Sequence, residues 1–409
     1  MSRKPKIFIS AGEASGEHYG TLLIPALRRL APDAEFFGLG GQRMEALGFR
    51  RVVRAEDVAV MGITEVILHM PRIYREYRRL KAAVTTENRA ERPDVAVLID
   101  FPDVNLSLAK HLKRAGVPVV YFVSPQLWAW KKYRIREVQR YVDRMLVIFP
   151  FEESFYRERQ VQASFVGHPL ADLALPVVSR EEFARESGTD PSKHLDPSRQ
   201  WIGLLPGSRL KEVRLNLPEM LRAASLLQSQ GNYEFVLPLA ATLTEEQRAQ
   251  VKAILSEDPV LPAGLRVTIT SDARATLHHA RASVVASGTA TVEAALIGNP
   301  FVVVYRVSPV SYAVAKRVVD VPHVAMVNLI AGRRAVPELV QGDFTAENVV
   351  PHLRPLLEEG EARESMIASL REISGMLKAE DNEGGESAID RTARITMEVL
   401  QENYSREES

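Results

Sequence analysis

Short apolar runs that alternate with amphipathic stretches constrain the fold of this chain more than any other feature. The runs are rich in β-branched residues and almost continuous in apolar side chains. Such runs are typical of parallel strands buried on both faces, and the intervening stretches have helical periodicity. The predicted strands are Ile7–Ser10, Val95–Ile99, Val117–Val123, Met145–Phe149, Trp201–Leu205, Phe235–Leu239, Val267–Thr270, Ser283–Ala286 and Phe301–Tyr305. The pattern predicts an α/β fold of doubly wound parallel sheets.

The alternation pauses after Leu170 and resumes at Trp201. A chain of 409 residues has room for two domains, so we expect two Rossmann-like domains with a cleft between them. The expected division is an N-terminal domain at 1–172, a linker at 173–199, a C-terminal domain at 200–357, and a helical segment at 358–409 that could pack back on the N-terminal domain.

Composition excludes several classes of protein. Lys plus Arg and Asp plus Glu both number 52, and this balance argues against a dedicated nucleic-acid binder. The absence of cysteine excludes disulfides, thiolate metal sites and a cysteine nucleophile. The nine histidines lack the spacing of a metal site, so we expect neither a metal nor another cofactor. No apolar run approaches the roughly 18 residues of a membrane span, which predicts a cytoplasmic protein, soluble or peripheral to a membrane.

A glycine-containing loop, Ser10–Glu17, follows the first predicted strand and opens a helix. Gly12 and Gly16 would let a ligand approach the backbone closely, and the helix N-terminus favours an anion or a hydroxyl-rich group. The spacing differs from the Gly-x-Gly-x-x-Gly pattern of dinucleotide sites. A tight strand-to-helix turn without a ligand explains the loop equally well.

Two carboxylates emerge at the end of the strand Val95–Ile99. Asp100 follows the apolar run directly, and partial burial would raise its pKa toward the range of a general base. We expect Asp103 to cap the helix that begins near Asn105. Either carboxylate could be the base on this reading.

The loop Leu205–Glu212 follows the first strand of the second predicted domain. Gly207 and Ser208 are expected to expose backbone N–H groups, and Arg209 adds a permanent cation that binds phosphate in bidentate fashion. This combination favours a diphosphate over an isolated surface arginine.

The segment Ser287–Glu293 follows the strand Ser283–Ala286 and begins another helix. Ser287 or Thr289 would cap this helix, and N–H groups around Gly288 would face an anion. Glu293 could complement the helix dipole or accept two vicinal hydroxyl groups. A phosphate-binding helix start followed by an acid suggests a nucleotide.

Nine ordered motifs between about residues 6 and 345 resemble those of the bacterial lipid-A-disaccharide synthases. The motifs are Ala11–Gly16, Val60–Val66, Ile99–Asn105, Val123–Trp130, Phe149–Glu152, Val166–Leu170, Leu204–Arg209, Ala286–Glu293 and Val336–Gln341. The resemblance implies an inverting glycosyltransferase of the GT-B fold. Such an enzyme joins UDP-2,3-diacylglucosamine to 2,3-diacylglucosamine 1-phosphate, and the products are a β-1,6-linked lipid A disaccharide and UDP.

The resemblance also implies roles for individual residues. Asp100 is the candidate base for the 6-hydroxyl of the acceptor, and Arg209 the candidate second catalytic residue. The expected acceptor-binding residues are Gly12, Ser15, Gly16 and Asp103. The expected UDP-sugar-binding residues are Gly207, Ser208, Arg209, Ser287, Gly288, Thr289, Glu293, Asn328 and Gln341.

Both implied substrates carry acyl chains, which implies peripheral contact with inner-membrane lipids. The apolar segment Val58–Met70 precedes a basic stretch in which Ile73, Tyr77, Leu80 and Val84 recur at helical spacing. We interpret this stretch as a helix on an anionic bilayer, with a core-facing helix as the alternative. A homodimer is compatible with the sequence. The rival functions are another UDP-sugar enzyme of this fold, such as a UDP-N-acetylglucosamine epimerase, and an inactive nucleotide-sugar-binding protein.

Overall fold

The computed structural model describes residues 4–58, 63–187, 194–257, 265–319, 321–379 and 385–408. Its strands are β1 (Lys6–Ala11), β2 (Glu35–Gly40), β3 (Arg50–Arg54), β4 (Val95–Ile99), β5 (Val119–Phe122), β6 (Arg144–Val147), β7 (Ala163–Phe165), β8 (Gln200–Leu205), β9 (Tyr233–Pro238), β10 (Val267–Thr270), β11 (Ala282–Ala286), β12 (Phe301–Tyr305) and β13 (Glu338–Val340).

At least one helix separates each strand from the next along the chain, and three helices follow the last strand. The helices are α1 (Ala14–Leu30), α2 (Gln42–Glu45), α3 (Ala55–Val58), α4 (Ile63–Val84), α5 (Pro102–Arg114), α6 (Ile135–Tyr141), α7 (Pro150–Arg157), α8 (Arg180–Glu186), α9 (Leu210–Gln228), α10 (Glu245–Glu257), α11 (Ala273–His279), α12 (Thr289–Ile297), α13 (Pro309–Val318), α14 (Met326–Ala331), α15 (Ala346–Leu357), α16 (Glu361–Met376) and α17 (Ala388–Glu408). Short 3₁₀ turns lie at Lys132–Arg134, Pro169–Asp172 and Gln341–Asp343.

The chain divides into two compact units, one of residues 1–172 and 377–409 and the other of residues 173–376. The first holds a sheet of order β3-β2-β1-β4-β5-β6-β7, and the second a sheet of order β10-β9-β8-β11-β12-β13. Every strand pair is parallel. Strand order reverses beside β1 in the first sheet and beside β8 in the second, and ligands of doubly wound sheets bind at such points.

All nine predicted strands are present, within two residues at either end. Sequence patterning missed β2, β3, β7 and β13 for identifiable reasons. Strand β2 contains two glycines, which are depleted in strands. Strand β3 has three arginines and only two adjacent valines, and β7 and β13 are edge strands of three residues each.

The first unit buries its apolar residues on both faces of the sheet. Ile7, Ile9 and Ile99 pack on one face with residues of α1, and Phe8 and Leu98 pack on the other. Helix α17 joins the first of these cores through Ala393 and Leu400 and similar residues. The carboxyl ends of β1 and β4 are therefore held rigidly side by side.

The second unit begins at Leu173 and contains residues that the sequence analysis treats as a linker. Within them, Arg180 lies 3.5 Å over the Trp201 ring and donates to the carbonyl oxygens of His279 and Arg199. Helix α8 packs beside them, since Phe183 is buried with Trp201. This segment is thus bound to the start of the second sheet.

Helix α4 corrects part of the membrane interpretation. Leu80 and Val84 are buried, and Tyr77 packs against the same core and bonds to Ser107 over 2.6 Å. The expectation that these three side chains face a bilayer is therefore wrong, and the core-facing alternative is correct for them. Residues 59–62 of the predicted apolar segment Val58–Met70 lie outside the described residues. In the part of the chain that is described, no helix is both long and apolar enough to cross a membrane.

Candidate active site

The turn after β4 is strained and firmly held. Asp100 and Phe101 adopt φ values of 47° and 49°, and Val123 after the neighbouring β5 adopts 63°. Positive φ is unusual for such residues, above all for a β-branched valine. Strain of this kind clusters at functional sites and persists only where the surroundings hold it.

Hydrogen bonds fix the backbone of Asp100 on both sides. Its N–H donates to the carbonyl oxygen of Phe122 over 3.0 Å. Its own carbonyl oxygen accepts from the Tyr121 hydroxyl and from the Asn105 amide, each over 2.7 Å. The Asn105 amide oxygen in turn accepts from Ser10 over 2.6 Å, which ties the turn to β1. The side chain of Asp100 therefore leaves a rigid anchor.

The environment of Asp100 suits it to accept a proton. Burial, followed by the negative charge of Glu13, raises its pKa to about 6, while a backbone hydrogen bond from Phe101 acts in the opposite direction. A carboxylate with this pKa is mostly ionised at neutral pH and more basic than a solvated aspartate. The raised pKa that the sequence predicts for Asp100 is confirmed.

The loop after β1 lies directly beside this turn because β1 and β4 are neighbours. A Cβ atom on Gly12 would lie 2.3 Å from the Phe101 ring, so any other residue at this position would force the ring to move. Gly16 is buried in the first turn of α1, and Ser15 beside it is exposed. Gly12, Ser15 and Gly16 thus belong to the segment after β1, which lies beside the turn that contains Asp100.

Asp103 does not cap a helix, so that expectation is wrong. Helix α5 begins at Pro102, and Asp103 lies inside its first turn. The carboxylate pairs with Arg134 over 2.6 Å and with Lys131 over 3.6 Å, and it is 75% exposed. The Asp103 carboxylate is therefore engaged by two cations at the surface.

A buried carboxylate that the sequence analysis left without a role lies beside β5. Glu152 accepts from the Ser124 hydroxyl over 2.6 Å and from the Trp128 indole over 3.0 Å. Burial raises its pKa to about 7, although these hydrogen bonds lower it. Glu152 therefore holds the loop that follows β5. Its only sequence signal was the motif Phe149–Glu152.

In the second unit, the loop after β8 differs from the sequence prediction. Gly207 has φ 121°, and a Cβ atom there would lie 2.5 Å from the Glu212 carboxylate. That carboxylate accepts the N–H groups of Ser208 and Arg209 over 3.0 and 3.3 Å. The expectation of a free Ser208 N–H is therefore wrong. The Arg209 side chain is 63% exposed and lies 3.8 Å from Glu212.

The start of α12 also differs from the sequence prediction. Gly288, with φ 152°, is the residue before the helix, and no side chain caps it. The Ser287 hydroxyl instead donates to the Val324 carbonyl oxygen over 3.1 Å, and Thr289 is the first helical residue. The predicted caps are wrong, and the first N–H groups of the helix have no side-chain acceptor from a cap. Burial raises the pKa of Glu293, partly offset by Arg274.

Asn328 is buried, and its amide is saturated by the protein. Its nitrogen donates to Val336 O over 3.0 Å and to Glu338 over 2.7 Å. Its oxygen accepts from the N–H groups of Ala335 and Val336 over 2.8 and 2.9 Å. An amide has two donors and about two acceptor positions, so none is left for a ligand.

Gln341 lies at the carboxyl end of β13 with φ 54°. Its side-chain amide bonds to the backbone of Val307, donating to the oxygen over 3.3 Å and accepting from the nitrogen over 3.0 Å. Gln341 thus fixes the loop after β12. Among the described residues, no group of three or more histidine, aspartate or glutamate side chains could hold a metal ion.

Comparison with known proteins identifies the family. A family model described as lipid-A-disaccharide synthetase matches residues 7–391. The chain belongs to the lipid-A-disaccharide synthetase family. A relative from Acidobacterium capsulatum, named lipid-A-disaccharide synthase, is 62% identical over 98% of each chain. One of the same name from Koribacter versatilis is 51% identical over 97% of this chain and 99% of its own.

A solved structure supports the fold separately. The calicheamicin glycosyltransferase CalG4 superposes with a TM-score of 0.56 at 17% identity, over 99% of both chains. This likeness confirms the predicted GT-B class of two parallel α/β units. Membership of the lipid-A-disaccharide synthetase family favours a glycosyltransferase over the epimerase alternative.

Proposed function

We propose that this protein is a lipid-A-disaccharide synthase that transfers diacylglucosamine from UDP-2,3-diacylglucosamine to the 6-hydroxyl of 2,3-diacylglucosamine 1-phosphate. The observation that carries the proposal is Asp100, a carboxyl with a pKa of about 6 on a rigid turn where strand order reverses. Family membership supplies the substrate class.

Asp100 acts as the general base. A sugar hydroxyl has a pKa far above neutrality, so its proton must leave as the new bond forms. In this step the acceptor oxygen attacks the anomeric carbon, and the bond from that carbon to UDP breaks. The electron pair departs on the diphosphate and the proton passes to the Asp100 carboxylate. Attack opposite the leaving group inverts the anomeric centre.

The acceptor lies on the loop that contacts this turn. Gly12 permits the close approach of that loop to Phe101, and Ser15 offers an exposed hydroxyl at the start of α1. We assign Gly12, Ser15 and Gly16 to acceptor binding. The exposed Asp103, held by Arg134, belongs at the rim of this site.

The second unit binds the donor. Arg209 is a permanent cation with an exposed guanidinium, and the first N–H groups of α12 add partial positive charge. Together they stabilise the diphosphate as negative charge develops on it. The Ser208 N–H already has an acceptor in Glu212, so we assign the phosphates to Arg209 and to the backbone at Gly288 and Thr289.

The nucleoside lies on the same edge of the sheet. Glu293 is half-buried on α12, where it can accept hydrogen bonds from the two ribose hydroxyls. Asn328 and Gln341 support the surrounding loops through hydrogen bonds within the protein rather than by touching the donor. Because both substrates carry acyl chains, the enzyme works at the cytoplasmic surface of the inner membrane.

The deciding experiment is transfer of a radiolabelled diacylglucosamine from its UDP conjugate to diacylglucosamine 1-phosphate in detergent. We expect a labelled disaccharide and stoichiometric UDP with wild-type protein. The Asp100→Asn variant, which keeps size and loses basicity, should yield at least about a hundredfold less. Absence of transfer by the wild type, or epimerisation of UDP-N-acetylglucosamine instead, would disprove the proposal.

A further inference from the structure

Helix α13 carries a stripe of exposed valines on the second unit. Val310, Val314 and Val318 are 76%, 54% and 51% exposed. Their spacing of four residues places them on one face of the helix. We call these three residues the valine stripe. None of the ten residues of α13 is buried.

Local signals explain why this segment is helical. Ser308 accepts the N–H of Ser311 over 3.2 Å as an N-cap, and Pro309 occupies the first helical position. Lys316 and Arg317 lie in the last turn, where they complement the helix dipole. A surface helix normally buries its apolar stripe against a core. Here each of the three valines in the stripe is more than half exposed.

The charges on this helix have one sign. Between Val307 and Val319 the charged residues are Lys316 and Arg317, and both are exposed. Neither forms an ion pair with any described residue. Helical geometry places Arg317 at the border of the valine stripe, where its long side chain can reach from an apolar layer to an anionic headgroup.

We propose that α13 docks on an anionic lipid bilayer, with the valine stripe in the interface and Lys316 and Arg317 on the headgroups. A short apolar face with an arginine at its border, on a helix whose charged residues are all cations, is what such a surface binds. The proposal rests on the proposed function, because that function requires acylated substrates from a membrane. Helix α13 also follows β12 directly, and Gln341 holds the intervening Val307.

The absence of cysteine from the chain allows a clean test. A single cysteine at Val314→Cys, labelled with an environment-sensitive fluorophore, reports on α13. The matched control is Val177→Cys, since Val177 is 98% exposed in the same unit but lies outside any helix. With vesicles of phosphatidylethanolamine and phosphatidylglycerol, the label at 314 should shift to the blue and be quenched by a lipid-borne quencher. The label at 177 should do neither.

Substitution tests the same surface without a label. The triple variant Val310→Ser, Val314→Ser, Val318→Ser should bind these vesicles at least about tenfold more weakly, because three apolar side chains leave the interface. Val177→Ser should bind like the wild type. Lys316→Glu with Arg317→Glu should weaken binding and reduce its dependence on salt. Circular dichroism would verify that each variant is folded.

Four results would overturn the proposal. In the first, the wild type fails to sediment with the vesicles; in the second, it sediments but the label at 314 stays in water. In the third, the label shifts to the blue without vesicles, and the shift grows with protein concentration. In the fourth, the triple valine variant binds vesicles as well as the wild type. The third result would identify an interface between copies of this chain. Transfer in detergent needs no bilayer, so its failure would count against the proposed function alone. The triple variant should retain that detergent activity.

Discussion

Asn328 donates a hydrogen bond of 2.7 Å to Glu338, and the same carboxylate accepts the N–H groups of Val324 and Ala325 over 3.1 and 3.0 Å. Val324 in turn accepts the hydroxyl of Ser287. One buried amide and one carboxylate thus join α14, β13 and the loop before α12. We therefore expect Asn328 to act as a positioning residue, together with Glu338, to which the sequence analysis gives no role.

Asn328→Ala and Glu338→Ala should each lower the free energy of unfolding by about 1–3 kcal/mol, because each leaves buried polar partners unmatched. Donor KM should rise more than kcat falls, since the helix start at Gly288 loses its support. The double variant should lose less unfolding free energy than the two single variants lose together, by at least about 0.5 kcal/mol. Strict additivity of the unfolding free energies, measured in urea, would refute the coupling. Glu338→Gln should retain more activity than Glu338→Ala.

Asp100→Asn should reduce turnover by at least about a hundredfold, the usual range for a lost general base. Asp103→Asn is the matched control at a neighbouring position. It should reduce turnover only slightly, because the exposed Asp103 carboxylate pairs with Arg134 and Lys131. Steady-state transfer rates in detergent decide between them. The reverse pattern would make Asp103 the base, and two active variants would place the base outside this loop.

The rate of the wild type should depend on pH through the same carboxyl. A base must be ionised, and the pKa of Asp100 is about 6. Turnover should therefore rise about tenfold per pH unit well below pH 6 and level off above it. A profile that is flat between pH 5 and 8, with chemistry rate-limiting, would contradict this role.

Glu152 should make the protein less stable as pH rises. Burial raises the pKa of this carboxyl from 4.5 to about 7, so the folded state binds its proton more tightly than the unfolded state does. Its stabilising effect is complete below pH 4.5 and is lost as pH rises through 7, by up to about 3 kcal/mol. Asp100 contributes with the same sign.

Urea unfolding at pH 5 and pH 8 measures this effect. Glu152→Gln should remove a large part of the difference in unfolding free energy between the two pH values. The part that remains in this variant comes from the titration of Asp100. Glu158→Gln is the control, since that side chain is 71% exposed beside Arg159. An equal pH difference in wild type and Glu152→Gln would show that this carboxyl does not titrate in the range.

Arg209→Ala should lower the transfer rate at least about tenfold, equivalent to about 1.4 kcal/mol of transition-state stabilisation. Stability should change little because the side chain is exposed. Arg214→Ala, an exposed arginine in the helix α9 that follows Arg209, controls for loss of positive charge. Wild-type kinetics in Arg209→Ala would disprove the assignment of Arg209 to the diphosphate.

Local pattern determined much of this protein. Apolar runs predicted the nine strands, and the position of Asp100 after one of them predicted its burial and raised pKa. The alternation of strand and helix predicted two doubly wound units, and nine ordered motifs pointed to the family. Each of these signals lies within a few residues of sequence, where backbone periodicity and propensity operate.

Tertiary structure decided which polar groups find each other. Asp103 forms an ion pair with Arg134, and Glu212 accepts the N–H of Ser208. The amide of Asn328 forms all of its hydrogen bonds with Glu338 and the backbone. It also turned the apolar side of α4 inward at Leu80 and left that of α13 in solvent. Sequence fixes which hydrogen-bonding and apolar groups exist, but packing of distant segments determines which of them are satisfied and which stay available to a ligand.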